Sequence, residues 1–252
     1  MVSGKKFSVM TYNVHGCIGR DGKPSPQRIA EVIAIFAPDI VTLQELDVNR
    51  IRTGVVDQPR VIAEDLNMYF HFNPSFGVEE EQYGNAVLSR YPLRLIKAGA
   101  LPSLPNRSGL ETRSALWVSV EIAGTQVQIM NTHLGLKRSE RTAQVEAITG
   151  PDWMKAAGFR APFLLCGDLN CGQGSRVYRI LAAILKDVQC PLHGRPQKTW
   201  PSMLPFSRLD HIFASGDLNV LDCQVPHGRF LRNASDHLPL IAELVIEDKA
   251  TV

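Results

Sequence analysis

Apolar residues along this chain gather into short runs, and several of these runs close on polar side chains. MTYNVHG closes on Asn13, DIVTLQELD on Gln44 and Glu45, VQIMNTHLG on Asn131 and His133, and LLCGDLNCG on Asp168 and Asn170. Runs of this length and make-up predict strands, at 7–14, 40–46, 69–72, 85–89, 93–98, 115–122, 127–133, 163–167, 209–214, 218–225 and 240–246. Helical spacing of apolar residues predicts helices at 26–36, 58–66, 139–156 and 176–185. The first of these has Ser25 as N-cap, Pro26 at the first helical position and Pro38 as its stop. No helices separate the short strands between 69 and 133, and Ala123-Gly124-Thr125 reads as a hairpin turn, so this block is expected to be antiparallel. Strands mixed with a few helices predict an α/β sandwich with sheets face to face and helices outside.

Composition narrows this picture only slightly. At 252 residues, 44% hydrophobic and 21% charged, the chain is expected to form one compact domain over 1–252, without linker or low-complexity tract. A net charge of +2 is too small for a dedicated duplex-binding module. Arginine clusters at Arg50, Arg52 and Arg60, at Lys137, Arg138 and Arg141, and at Arg229 and Arg232 read as solvated surface or as the lining of an anionic-substrate site. Five cysteines without C-x-x-C spacing argue against a disulfide framework or zinc ribbon. With no signal peptide and no membrane-spanning apolar run, a cytoplasmic protein is expected, in which the sequons at Asn106 and Asn233 carry no weight.

The polar tips change the picture more. A single Asp or Asn after a strand is explained by a turn or a helix cap. The same event at Asn13, Glu45, His133, Asp168 with Asn170, Asp210, and Asp236 with His237 is hard to assign to six separate turns. Carboxylates, amides and imidazoles converging at strand ends make a cleft suited to a hard cation and a phosphate. GCIGRDGKP is excluded as a nucleotide-phosphate loop, because its glycine-to-Lys23 spacing is one residue too long and Pro24 stands where Ser or Thr is required. His71, His193, His211 and His227 lack zinc-site spacing; His15 is the best placed of the remaining histidines to touch substrate. Trp117 and Trp153 read as core, whereas Trp200 lies in a loop leading to Asp210 and is a candidate for the cleft border.

TYNVHG, LQELD, NTHLGL, CGDLN, RLDHIF and SDHLPL, in that order from Thr11 to Leu240, resemble the endonuclease/exonuclease/phosphatase superfamily of metal-dependent phosphoesterases. The resemblance implies a four-layer α/β sandwich with two central mixed β-sheets. It also implies Glu45 as the main metal carboxylate for one Mg²⁺ (or Mn²⁺), with Asn13 beside it touching the metal or orienting the phosphate. Asp168 resembles the residue that positions or deprotonates the attacking water, and Asn170 one that holds the phosphate or that aspartate. His237 would contact a phosphoryl oxygen or transfer a proton, with Asp236 fixing its tautomer or joining a metal site. His133 resembles a second imidazole at the phosphate and Asp210 a carboxylate that orients its neighbours. Arg113, ahead of a strand in LETRSAL, reads as a phosphate clamp or a plain surface arginine, and His15 as a candidate substrate contact.

The function expected is a divalent-metal-dependent phosphodiesterase or nuclease acting on DNA or RNA. The alternative is a phosphoesterase of phospholipid head groups or small phosphorylated metabolites, with apolar loop residues such as Leu101, Leu104, Met203, Leu204 and Phe206 available to meet a lipid. A non-catalytic binding module would have lost Glu45, Asp168 or His237, and all are present. No obligate protein partner is evident.

Overall fold

A computed structural model describes residues 4–78, 80–104, 111–155, 159, 162–189 and 196–247. Asn106, Cys190, His193 and the expected helix end at Ala156 lie outside the described residues. One six-stranded sheet uses β1 (Gly4–Asn13), β2 (Ile40–Val48), β3 (Tyr69–Val78), β4 (Glu81–Ser89), β11 (Leu218–Gln224) and β12 (Leu240–Glu247), in the order β11-β12-β1-β2-β4-β3. The other uses β5 (Leu93–Ala100), β6 (Ser114–Ile122), β7 (Thr125–His133), β8 (Phe163–Asp168), β9 (Lys186–Asp187) and β10 (Asp210–Ala214), in the order β5-β6-β7-β8-β10-β9. Helices α1 (Pro26–Phe36), α2 (Gln58–Leu66) and α5 (Arg229–Ala234) serve the first sheet, and α3 (Arg138–Ile148) and α4 (Arg176–Ala182) the second, completing the four-layer α/β sandwich.

Alternation along β8 shows why its run is apolar throughout. Leu164 and Cys166 point into the core between the sheets, while Phe163 and Leu165 point into a second core beneath α3 and α4. Two neighbouring strands in the same sheet do the same, Ile129 facing inward and Met130 outward on β7, Ile212 inward and Phe213 outward on β10. A strand covered on both faces has no solvent side on which to place polar residues.

Each sheet contains one parallel pair, β1 with β2 and β7 with β8, each pair joined through a helix. Their C-terminal ends therefore reach one edge of their sheet. Antiparallel β4, β6, β10 and β12 bring their N-terminal ends to the same edges, so Tyr83 lies opposite Asp47, Ala115 opposite Thr132, Asp210 opposite Asp168 and Leu240 opposite Thr11. Beneath the edge a buried amide pair joins the sheets. Gln44 Nε2 donates to Asn131 Oδ1 at 2.8 Å, and Asn131 Nδ2 donates to the carbonyls of Leu43 and Ala86 at 2.9 and 2.8 Å. These two polar tips connect the layers and lie outside the cleft lining.

Some boundaries differ from expectation for local reasons. α3 stops at Ile148 because Thr149-Gly150-Pro151 ends it, with the Gly150 N–H bonded back to Ala147. β3 continues to Val78 through Pro74, which is tolerated on an edge strand where the register shifts between Pro74 and Phe76. The six-residue α5 and two-residue β9 are too short to carry a periodic signal. Within the described residues, no helix is long and apolar enough to cross a membrane.

Candidate active site

The LLCGDLN segment places its polar end by backbone geometry. Gly167 adopts φ 143°, and a Cβ there would stand 1.8 Å from the Thr132 carbonyl, so only glycine lets β7 and β8 approach closely enough at this point. The close register sets His133 opposite Asp168 and Asp168 opposite Asp210. Directly opposed residues share a face, so all three side chains project toward the first sheet.

From that sheet come Asn13 and Glu45. β2 bulges between Leu43 and Leu46, and Glu45 inside the bulge adopts φ 62°. Such a conformation costs a non-glycine residue about 1–3 kcal/mol and re-aims the side chain off the strand. Asn13 Nδ2 donates to Glu45 Oε1 at 2.9 Å and to Asp168 Oδ2 at 3.0 Å, bridging the carboxylates of the two sheets. Its Oδ1 accepts the His15 N–H at 3.1 Å; the reversed amide would press oxygen against two carboxylates. Asn13, expected to touch the metal or orient the phosphate, joins the two carboxylates through Nδ2 while its oxygen takes the His15 N–H.

His237 is fixed by Asp210, whose Oδ2 lies 2.8 Å from Nδ1. Asp236 does not meet the ring, contrary to one of the two roles expected for it. It is the preceding residue and projects elsewhere, accepting from Trp200 Nε1 at 3.3 Å and Ser235 Oγ at 3.4 Å. Burial favours the neutral imidazole, but Asp210 with Asp168 and Asp236 outweighs it and lifts the His237 pKa to about 10. The ring is thus an imidazolium with Nδ1–H on Asp210 and Nε2–H facing Asp168 Oδ2 at 3.7 Å. Burial, then Asp210, pushes the Asp168 carboxyl well above the usual range, against His237, the Asn170 N–H and Asn13. Asp210 Oδ1 has no hydrogen-bond partner among the described residues.

His133 behaves in the opposite way. Arg113 Nη1 donates to Nδ1 at 2.9 Å, and a guanidinium has no lone pair, so Nδ1 accepts and the neutral ring carries its proton on Nε2. Burial and Arg113 hold its pKa well below the ordinary value. The Nε2–H faces Asp168 Oδ2 at 3.5 Å, while Asn170 Nδ2, 2.9 Å from the same ring nitrogen, donates to the Leu134 carbonyl. Asn170 additionally gives its backbone N–H to Asp168 Oδ1 at 2.8 Å. Arg113, expected as a phosphate clamp, is 5% exposed and engaged by His133 and by Glu111 at 3.0 Å. His15 stands half-exposed, its Nδ1 3.5 Å from Glu45 Oε2 and 3.9 Å from Asp236 Oδ1. Burial raises the Glu45 pKa, but bonds from His15 and Asn13 and the nearby His133 outweigh it, so its carboxyl stays ionised.

These groups floor a cleft of about 840 Å³ whose walls include Arg50, Arg52, Phe76, Tyr83, Glu111 and Trp200. The border position expected of Trp200 agrees with this lining. Phe76, Tyr83 and Glu111 were not anticipated. They enter with β3, β4 and the approach to β6, and β4 and β6 reach the cleft with their N-terminal ends, where a search for polar C-terminal tips finds nothing. Asp168, Asp210 and His237 also bring three ligand-type atoms within 4.8 Å of one another.

The sequence pattern of the Endonuclease/Exonuclease/phosphatase family matches residues 10–237. The uncharacterized protein YbhP of Escherichia coli is 28% identical over 251 residues, 94% of this chain and 96% of that protein. An endonuclease/exonuclease/phosphatase structure from Beutenbergia cavernae superposes with a TM-score of 0.75 at 26% identity, over 98% of this chain and 73% of the other. A mannosyl-6-phosphatase of Bacteroides thetaiotaomicron shares the fold at a TM-score of 0.76 and 21% identity, over 95% of this chain and 100% of that one.

Proposed function

The chain belongs to the endonuclease/exonuclease/phosphatase family, and on that premise we propose that it is a divalent-metal-dependent hydrolase of phosphoester bonds. The observation that carries the reading is the arrangement about Asp168: amide donors from both sheets on its oxygens, and a neutral and a charged imidazole within 3.7 Å.

A hard cation fits the donor set. Glu45 and Asp168 line the cleft, with Asp210 behind them on His237 and Asp236 3.9 Å from His15, against the His237 imidazolium and an Arg113 already paired with Glu111. An entering phosphate would meet excess negative charge. Glu45, ionised and with Oε2 3.5 Å from His15 Nδ1, would hold Mg²⁺ (or Mn²⁺). When bound, such a cation neutralises charge on the phosphoryl oxygens.

Asp168 accepts a proton from the attacking water as its oxygen bonds to phosphorus and the ester P–O bond breaks; the leaving oxygen takes a proton from cleft water. His237 keeps its proton and gives Nε2–H to a phosphoryl oxygen, with Asp210 fixing the ring. His133 and Asn170 hold Asp168 in line with the water. Positioning and charge stabilisation are what this chemistry mainly requires.

The substrate expected from sequence, DNA or RNA, needs free cationic surface along the cleft. Arg52 is engaged by the buried Asp47 at 2.7 Å, Arg50 lies 3.5 Å from the same carboxylate, Arg60 pairs with Asp57 at 3.1 Å, and Arg113 is held as described. These pairings favour the second reading, a phosphorylated head group or small metabolite. The test is a hydrolysis panel of single- and double-stranded DNA, RNA, a soluble nitrophenyl phosphodiester, phospholipids and inositol phosphates, each with Mg²⁺ or excess chelator. Turnover that survives chelator ends the metal assignment, and turnover confined to nucleic acid ends the second reading. Glu45→Gln should shift the Mg²⁺ requirement upward, since an amide lacks the charge a hard cation prefers.

A further inference from the structure

We infer that the rim of the cleft docks on an anionic phospholipid bilayer, so that the cleft opens onto phosphoesters in the membrane surface. The rim combines an apolar and a cationic character that neither hydrolysis nor folding requires. Ile51 (80% exposed), Leu136 (68%), Leu204 (78%) and Phe206 (59%), with the half-exposed Phe76 and Met203, come from four separate segments at the polar-tipped end of the sandwich. Phe76 and Leu136 are themselves cleft walls. Ile51 lies between the wall residues Arg50 and Arg52, and the 203–206 turn follows the wall residue Trp200, on whose ring Phe206 packs edge-on at 5.4 Å. Large apolar side chains left in water at this density call for a covering surface.

What covers them is set by their spacing and their neighbours. The tips stand around a polar opening, and a protein partner covering them would need one contiguous dry core, which the carboxylate-lined cleft interrupts. A bilayer accepts separated apolar wedges, each entering between head groups. Charge complements that surface at the Leu136 tip, which is followed by the exposed Lys137 and Arg138; these line the adjoining depression together with Arg176 and Glu146, the last two paired at 2.8 Å. Apolar tips beside basic residues match an anionic interface. Trp200, with its indole N–H on Asp236 and its ring against Phe206, stands where an amphipathic ring suits the head-group layer. The proposal rests on the phosphoester reading only for what the docked protein would cleave.

The experiment is vesicle co-sedimentation of the full chain with phosphatidylglycerol/phosphatidylcholine and with pure phosphatidylcholine vesicles, for wild type and for Ile51→Ser/Leu204→Ser. Both sites are exposed loop tips outside the cleft lining, so the melting temperature and hydrolysis of a soluble nitrophenyl phosphodiester should be unchanged. Wild type should partition onto the anionic vesicles, more weakly onto neutral ones and less at high salt. The variant should partition at least about 10-fold less. Wild type remaining in the supernatant at low salt, or the variant binding equally well, overturns the docking. Intact vesicle binding without hydrolysis of any phosphoester would instead sink the proposed activity and leave the docking standing.

Discussion

Strand β10 carries two buried ionic clusters, one on each face, because consecutive residues Asp210 and His211 point to opposite sides. On the outer face the carboxylate is fully paired, although Arg208 Nε and His211 Nδ1 have no partner among the described residues. Asp187 accepts Arg208 Nη1 at 2.7 Å and Nη2 at 2.5 Å, Tyr178 Oη at 2.8 Å and the Gln189 N–H at 3.1 Å, while His211 Nε2 donates to the Cys171 carbonyl at 2.8 Å. Burial opposes ionisation of Asp187, but Arg208 outweighs it and its pKa falls to about 2. On the inner face Asp168 and Asp210 crowd one imidazolium, one carboxylate oxygen lacks a partner among the described residues, and Asp168 is pushed upward. Burial is similar, so burial does not separate them. The outer carboxylate has a guanidinium of its own, whereas the two inner carboxylates share one imidazolium and are left short of positive charge, an imbalance common at functional sites.

The largest effect expected from this contrast is on rate. Asp168→Asn removes the carboxylate proposed to take the water's proton and relieves repulsion with Asp210, so single-turnover rate with saturating Mg²⁺ should fall by about 10²- to 10⁴-fold with the fold intact. Near-normal turnover with collapsed binding would make Asp168 a structural or metal-holding group. Next, Arg208→Ala leaves the buried Asp187 without its guanidinium, and denaturant unfolding should show a loss of about 3–5 kcal/mol. The folded fraction should keep its kcat; a matching loss of kcat would merge the two clusters into one unit.

A smaller effect concerns acid. The folded-state pKa of Asp187, about 2, lies below its unfolded value of about 3.9, so the pair's contribution is fully present above that unfolded value and is lost as pH falls toward about 2. It amounts to about 2–3 kcal/mol, and comparison of unfolding curves for wild type and Asp187→Asn between these limits should recover it. Smallest is Asp210→Asn. Removing one of two crowded carboxylates should leave stability within about 1 kcal/mol of wild type or raise it, because repulsion lost offsets the His237 bond lost. A multi-kcal/mol destabilisation would show that the inner cluster is as self-sufficient as the outer.

Much of this was legible in one dimension. Strand positions follow from apolar runs, Ser25 and Pro26 mark the start of α1, and the polar ends of β1, β2, β7 and β8 lie at the cleft because parallel strands must end on the same side. Local rules of propensity, capping and period suffice for such features. Partnership was not legible. That Asp210 rather than Asp236 meets His237, that Arg113 sets the His133 tautomer, and that Asn13 joins carboxylates from two sheets depend on registers across strands distant in sequence. Tyr83 and Glu111 joined the cleft only because antiparallel strands arrive there by their N-terminal ends. Sequence determined which residues stand at the ends of strands; tertiary structure decided which of them face one another, because side-chain contact and burial, and hence protonation, are properties of neighbours in space and not along the chain.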